Sequence, residues 1–204
     1  MIIAVDGPAA AGKGTLAKRL AKHFGLAHLD TGGLYRAVGL KVLRTGGDPA
    51  TCAAALQHTD LADPELRLER TAEVASKVAA IPEVRAALLA FQRDFAAKPP
   101  GGAKGAVLDG RDIGTVVLPD APYKLFVTAS PEARARRRWA ELAAVPNRPS
   151  LAEIEAQVRE RDARDQERAV SPLKPAPGAF LLDTTDLDIE AAFQAAKSFV
   201  SSRN

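Results

Sequence analysis

The sequence predicts an α/β protein built on a mostly parallel five-stranded sheet. Three observations lead there. Short, wholly apolar runs alternate with stretches of helical period. A glycine-rich turn carrying a lysine separates the first such run from the first amphipathic stretch. The 204 residues are 47% apolar and 26% charged, the composition of a globular chain long enough to bury its own core.

Ile2 to Val5 is the first strand, apolar throughout as a doubly covered strand must be. From Lys13, Leu16, Leu20 and Phe24 recur at helical spacing, and Gly25 sits where a helix ends in the left-handed region. Ala27 to Leu29 is a second strand ending at Asp30, and Leu34 to Arg44 is a helix stopped by Gly46 and Gly47. Residues 49–97 hold no convincing strand. They are alanine-rich, Pro82 suits the first position of a helix, and Val84, Leu88 and Phe91 share a face, so two or three helices are expected. Lys98 to Gly105 is a loop of prolines and glycines. Ala106 to Leu108 and Tyr123 to Thr128 are the third and fourth strands. Pro131 opens a helix, Pro146 and Pro149 interrupt, and Ser150 to Arg168 resumes in helical period. Ala179 to Leu182 is the fifth strand, and Asp188 caps a last helix with Ile189, Phe193, Ala196 and Val200 inward. No repeat or long flexible linker divides the chain, so 1–204 reads as one domain. Its core comprises 1–48, 104–130 and 178–204, with insertions at about 49–103 and 131–170.

Composition narrows the function classes. A single cysteine, Cys52, excludes a disulfide framework and fits a reducing compartment. No run approaches the ~20 apolar residues of a membrane span, and the apolar start runs straight into a polar, glycine-containing stretch unlike a signal peptide, so a cytoplasmic protein without membrane partners is expected. His23, His28 and His58 have no metal-ligand spacing. A nucleic-acid binder is disfavoured. The net charge is only +3, and between Arg134 and Arg168 nine arginines face seven acidic residues, with two tyrosines and one tryptophan in the chain as stacking platforms.

The turn after the first strand reads Gly7-Pro8-Ala9-Ala10-Ala11-Gly12-Lys13-Gly14-Thr15. Between a strand and a helix this is a phosphate-binding loop. Backbone N–H groups and the positive helix end converge on phosphate oxygens, and the lysine adds a mobile cation. Lys13 is followed by glycine and then threonine, a spelling that resembles small-molecule kinases more than GTPases or motor ATPases.

Three further clusters fall where partners of that loop are expected. Asp30 to Arg36 follows the second strand and Asp109-Gly110-Arg111-Asp112 the third, on the edge where open α/β sheets bind ligands. Arg161, Arg164, Asp165 and Arg168 recur at i, i+3, i+4 and i+7 of the late helix, which would put three guanidinium groups and a carboxylate on one face. Taken singly these residues have bland readings. Arg36 could be a solvated helix residue, and the late helix a charged face laced with pairs such as Arg161–Asp165 and Glu160–Arg164.

Together they make the chain resemble the bacterial cytidylate (CMP) kinases of the nucleoside monophosphate kinase family, along nearly its whole length. The matching segments are GPAAAGKGT, LDTGGLYR, VASKVAAIPEVRAALLAFQR, LDGRDIGTVVLPDAPYKLFVTAS and RERDARDQERAVSPL. DGRDIGTVV and RDARDQER separate this family from adenylate and thymidylate kinases. The resemblance implies a three-layer P-loop kinase fold with a helical monophosphate-binding region and a small lid. It implies a monomer that moves the γ-phosphoryl group of ATP to CMP, and to dCMP, with Mg²⁺ as cofactor. ATP would lie on the loop Gly7 to Thr15, with Lys13, Arg161 and Arg164 catalytic, and Mg²⁺ on Thr15 and, through a water, on Asp109. Arg36 and Arg111 would hold the acceptor phosphate beside Thr31. Ser76, Arg85 and Asp112 would read cytosine, Arg161 and Asp165 the ribose, and Arg168 the phosphate region. Cytosine suits such a set, since it offers an amino donor beside two acceptors. Uracil would turn an acceptor toward Asp112, which leaves UMP as the alternative acceptor to test. The chain departs from many relatives at Asp60 to Glu73, where a small β-rich insertion is replaced by a short stretch of helical pattern.

Overall fold

A computed structural model describes residues 1–203, apart from the side chains of His58 and Glu69; the reading of His58 as no metal ligand lies outside the described residues. Five strands, β1 (Ile2–Asp6), β2 (Ala27–Asp30), β3 (Ala106–Gly110), β4 (Tyr123–Thr128) and β5 (Phe180–Asp183), form one sheet in the order β2-β3-β1-β4-β5. Every pairing is parallel. The first crossover runs outward past the place β3 later fills and the later ones return across β1, so the crevice beside β1 is the switch point where α/β sheets bind ligands.

Alternation along the strands builds two cores. Ile3, Val5, Val107, Leu125 and Leu182 pack against α1 (Lys13–Phe24) and α8 (Ile189–Ser201). Ala4, Leu29, Ala106 and Leu108 face the other way, onto α2 (Thr31–Thr45), α3 (Pro49–Ala54) and α5 (Pro82–Ala97). The result is three layers, helix on sheet on helix. The helix pair α6 (Pro131–Glu141) and α7 (Leu151–Gln166) has a small core of its own around Ala135, Ile154 and Val158.

Several boundaries differ from the sequence expectation, each for a local reason. Helix α2 begins at Thr31, three residues early, because the Asp30 side chain accepts from the Gly33 N–H at 3.2 Å and caps it. Strand β5 starts at Phe180 rather than Ala179. Helix α7 ends at Gln166, so Arg168 lies beyond the helix on which its spacing was read. Ile189 is 61% exposed rather than inward; it is the first residue of α8, and the buried face of that helix starts at Ala192 and Phe193.

The stretch 60–73 is not one helix. Two short 3₁₀ turns, His58–Ala62 and Pro64–Arg67, precede α4 (Glu69–Val78). Pro64 and the capping Asp63 break the helical period there. Leu66 from the second turn packs against Ala37 and Leu40 of α2. Lys41 reaches Asp60 at 2.7 Å, and Arg44 reaches Asp63 at 2.7 Å and Glu65 at 3.0 Å. Helix α4 in turn lies so close on α2 that a Cβ at Gly39 would stand 3.0 Å from the Ala75 nitrogen. The shortened region is thus fastened to α2 by one apolar plug and a row of ion pairs.

Candidate active site

Strand register lines up the first functional groups. Asp6 pairs with Gly110 across β1–β3, and Asp30 with Asp109 across β2–β3, so three carboxylates end their strands on one edge. A cavity of about 450 Å³ opens there. The phosphate loop contributes Ala9, Ala10 and Lys13, and α2 with the turn before it contributes Asp30, Thr31, Tyr35 and Arg36. Ser76 comes from α4, Arg85 from α5, Asp109 to Asp112 from the end of β3 and the turn after it, Arg161 and Asp165 from α7, and Arg168 from just beyond its end.

The loop is held from behind. Gly7 has φ +149°, and a Cβ there would meet the Val127 carbonyl oxygen at 1.9 Å, so the loop leaves β1 pressed against β4. The Ala9 carbonyl accepts from Arg134 at 3.3 Å and the Ala11 carbonyl from Thr184 at 3.1 Å. Two of the loop's carbonyl acceptors are thus tied back to the body of the protein. Ala10 adopts φ +58°, a left-handed geometry that costs a non-glycine residue about 1–2 kcal/mol. Such strain is expected where a backbone is shaped for a ligand.

Charges converge on this edge. Burial and the neighbouring Arg111 lower the pKa of Lys13 to about 7, with Asp109 and Asp30 pulling the other way. Arg111 Nε donates to Asp165 at 2.7 Å. Burial raises the Asp165 carboxyl, but Arg111, Arg168 and Arg161 outweigh it and hold it below the usual range. Arg85 donates to Asp112 in a buried pair, and the Arg85 guanidinium lies 5.7 Å from the centre of the Tyr35 ring. Thr31 donates its hydroxyl to the Asp109 carbonyl at 2.8 Å. Arg36 stands 3.8 Å from Asp30. Arg168 donates to the Ser171 carbonyl at 2.8 Å, while its buried Nε has no partner among the described residues.

All the residues expected at the CMP site line this one cavity. Of the expected ATP loop only Ala9, Ala10 and Lys13 reach the cavity wall, and Gly7, Pro8, Ala11, Gly12, Gly14 and Thr15 do not; Arg164 is also absent from it, donating to Ser76 Oγ at 3.1 Å and pairing with Glu160 at 2.7 Å. Thr15 is exposed on the first turn of α1.

Three residues escaped the sequence reading. Asp6 is buried at the end of β1 and accepts from the Ile113 and Gly114 N–H groups, both at 2.7 Å, tying the loop's strand to the turn that follows Asp112. Burial lifts its pKa to about 6, against the pull of those two amides. His28 Nε2 lies 2.7 Å from Asp109. Arg134, buried at the base of α6, binds Asp162 of α7 with two nitrogens and the Ala129 carbonyl with a third at 2.8 Å, bracing α7 against the loop. Only Asp6 had a readable signal, a carboxylate closing an apolar strand directly before the loop.

Comparison with known proteins agrees along the whole chain. The family model described as cytidylate kinase matches residues 3–200. A cytidylate kinase of Cereibacter sphaeroides is 60% identical over 194 residues, covering 95% of this chain and 92% of the relative. One of Paramagnetospirillum magneticum is 59% identical over 208 residues, covering 99% and 98%. Among solved structures, an uncharacterized protein from Eubacterium ventriosum superposes with a TM-score of 0.58 at 15% identity, covering 100% and 99%, which speaks for the fold alone. The glycine-rich loop, the buried Arg85–Asp112 pair and the arginines of α7 therefore belong to a chain that is a member of the cytidylate kinase family.

Proposed function

We propose that the protein transfers the γ-phosphoryl group of ATP to CMP, and to dCMP, giving ADP and CDP or dCDP. One observation carries the base choice: the buried Arg85–Asp112 pair lines the same cavity as Lys13 of the phosphate loop. An amino donor of cytosine satisfies the carboxylate, and a ring acceptor satisfies the guanidinium. Uracil leaves one of them unmatched, and that cost underlies discrimination.

The acceptor is already an anionic phosphate oxygen, so no general base is assigned. Catalysis is positioning and neutralisation of charge on the moving group. Lys13 and the loop amides hold the donor. Arg36 and Arg111 hold the acceptor phosphate beside Thr31, Asp165 and Arg161 take the ribose, and Arg161 and Arg168 close over the phosphates. Closure of the region 131–170 onto the region 49–103 excludes water, which would otherwise take the phosphoryl group. Lys13 and Arg161 line the cavity and are assigned to catalysis; Arg164, expected beside them from the sequence, stands outside its wall and is bonded to Ser76 and Glu160.

The residues present fit Mg²⁺. The Asp109 carboxylate comes within 3.8 Å of where a Cβ on Gly14 would stand, so hard oxygen reaches the loop beside the Thr15 turn. Thr15 and, through a water, Asp109 would hold the ion, which would supply charge neutralisation for the phosphoryl group in transfer. A cytoplasmic monomer working on free nucleotides, with neither nucleic acid nor membrane as partner, fits the near-balanced charge of +3. No helix is long and apolar enough to cross a membrane.

An ADP-release assay with ATP and Mg²⁺ against CMP, dCMP, UMP, AMP, GMP and dTMP tests the proposal. Turnover concentrated on CMP and dCMP is expected. Broad turnover, or preference for UMP, would keep a phosphoryl-transfer enzyme and overturn the base assignment.

A further inference from the structure

We infer that Arg164 is a positioning residue for base choice, fixing the hydrogen-bond direction of Ser76 from across the gap between lid and monophosphate-binding region. The inference rests on the reading of Ser76 as a base-facing group.

Arg164 on α7 donates from Nη1 to Ser76 Oγ on α4 at 3.1 Å, a contact between elements 88 residues apart in sequence. A guanidinium only donates and stays charged at any working pH. The Ser76 oxygen is therefore the acceptor in this pair. A serine hydroxyl has one proton and two lone pairs, so once Arg164 occupies a lone pair the proton needs another acceptor. No other hydrogen-bond partner of the Ser76 side chain stands among the described residues. Ser76 is only 9% exposed and lines the cavity beside Arg85 and Asp112. Arg164 is outside that lining and is held from behind by Glu160 at 2.7 Å.

Ser76 is thus biased toward donating into the cavity. The carbonyl oxygen and the ring nitrogen N3 of cytosine are acceptors that can take that proton. A pyrimidine carrying N3–H presents a donor at one of those positions and meets a donor. The same bond forms only when α7 lies on α4, so the base side is completed as the lid comes down.

The test is a double-mutant cycle on kcat/KM for CMP and UMP at saturating ATP, with thermal midpoints recorded. Arg164→Met keeps the apolar stem and removes the donors. It is expected to lower kcat/KM for CMP by about tenfold, the scale of one hydrogen bond, and to narrow the CMP-over-UMP ratio. The double variant with Ser76→Ala should be no worse than Ser76→Ala alone, because Arg164 acts through Ser76. Arg164→Lys, which keeps a charged donor, should restore part of the ratio. Wild-type kinetics in Arg164→Met overturns the inference. So does a loss that adds in full to that of Ser76→Ala, or one that falls on kcat for both nucleotides alike, the mark of a phosphate contact. If Ser76→Ala itself matches wild type on both nucleotides, the base-facing reading of Ser76 fails and takes the inference with it.

Discussion

Asp112 and Arg85 face each other inside the protein, with less than a tenth of either side chain open to solvent. One closes the turn after β3 and the other lies on the first turns of α5, so the pair joins the sheet edge to the helices of residues 49–103. A buried ion pair adds little net stability, yet removing one member strands the other in a place where charge is costly. Such a pair holds both groups ready for a ligand that can answer each.

Asp112→Asn is therefore expected to act twice. The CMP-over-UMP ratio of kcat/KM should fall by about tenfold or more, as expected when a site built to bond one polar edge loses its match. Stability should fall as well, by up to about 3–5 kcal/mol, because Arg85 keeps its charge without a counter-charge. Steady-state kinetics and denaturant unfolding measure the two separately. An unchanged ratio would remove Asp112 from base recognition.

Lys13 gives a proton-linked prediction. Its pKa is about 7 in the free protein, against an ordinary value of 10.5. Nucleotide phosphates favour the ammonium form, so ATP binding at pH 8 should take up protons, seen by calorimetry in buffers of different ionisation enthalpy. Lys13→Met should lose that uptake and about 10²–10³ in kcat, the scale of one preorganised charge. The stability sign follows from the lowered pKa. Between pH 7 and 10.5 the unfolded chain binds the extra proton, so this group makes stability rise with pH through that window. Lys13→Met should flatten that slope.

Asp6 runs the other way. Burial raises its pKa from 3.8 to about 6, so between those values the folded protein binds the proton and the unfolded chain does not. Its contribution to stability therefore grows as pH falls from about 6 toward 4 and is lost as pH rises through 6. The stability of wild type relative to Asp6→Asn should increase on acidification across that range. Thermal midpoints of both proteins without nucleotide, at pH 4.5, 6 and 7.5, measure this, and parallel curves would show that Asp6 does not titrate there.

Gly7→Ala should disrupt the protein rather than tune it. The positive φ disfavours any side chain, and the new methyl would overlap the Val127 carbonyl, which is backbone of a central strand. Loss of soluble folded protein, or a large fall in thermal midpoint, is the expected result. A stable, active Gly7→Ala enzyme would mean that β4 yields at Val127.

The five strands and most helices were legible in the sequence because their signals are local. Wholly apolar runs mark strands covered on both faces, and Pro82, Pro131, Gly25 and Asp188 punctuate helices by rules that involve only their neighbours. The stretch around Asp60 misled because its apolar spacing tolerates either helix or successive 3₁₀ turns. Pro64 and the pull of Lys41 and Arg44 on Asp60, Asp63 and Glu65 decided between them.

For the site, the sequence by itself determined the glycine-rich loop between the first strand and the first helix and the residue types around it, since GPAAAGKGT is contained in one segment. Tertiary structure alone decided what those residues touch. The Asp6 grip on Gly114 spans 108 residues, the His28–Asp109 bond 81 and the Arg164–Ser76 bond 88. A period along the late helix could group Arg161, Arg164 and Arg168, but it could not foresee that the helix ends at Gln166 or that Arg164 turns to α4. Hydrogen bonds between distant segments leave no trace in local spacing; they appear only when the sheet order brings β1, β2 and β3 to a common edge.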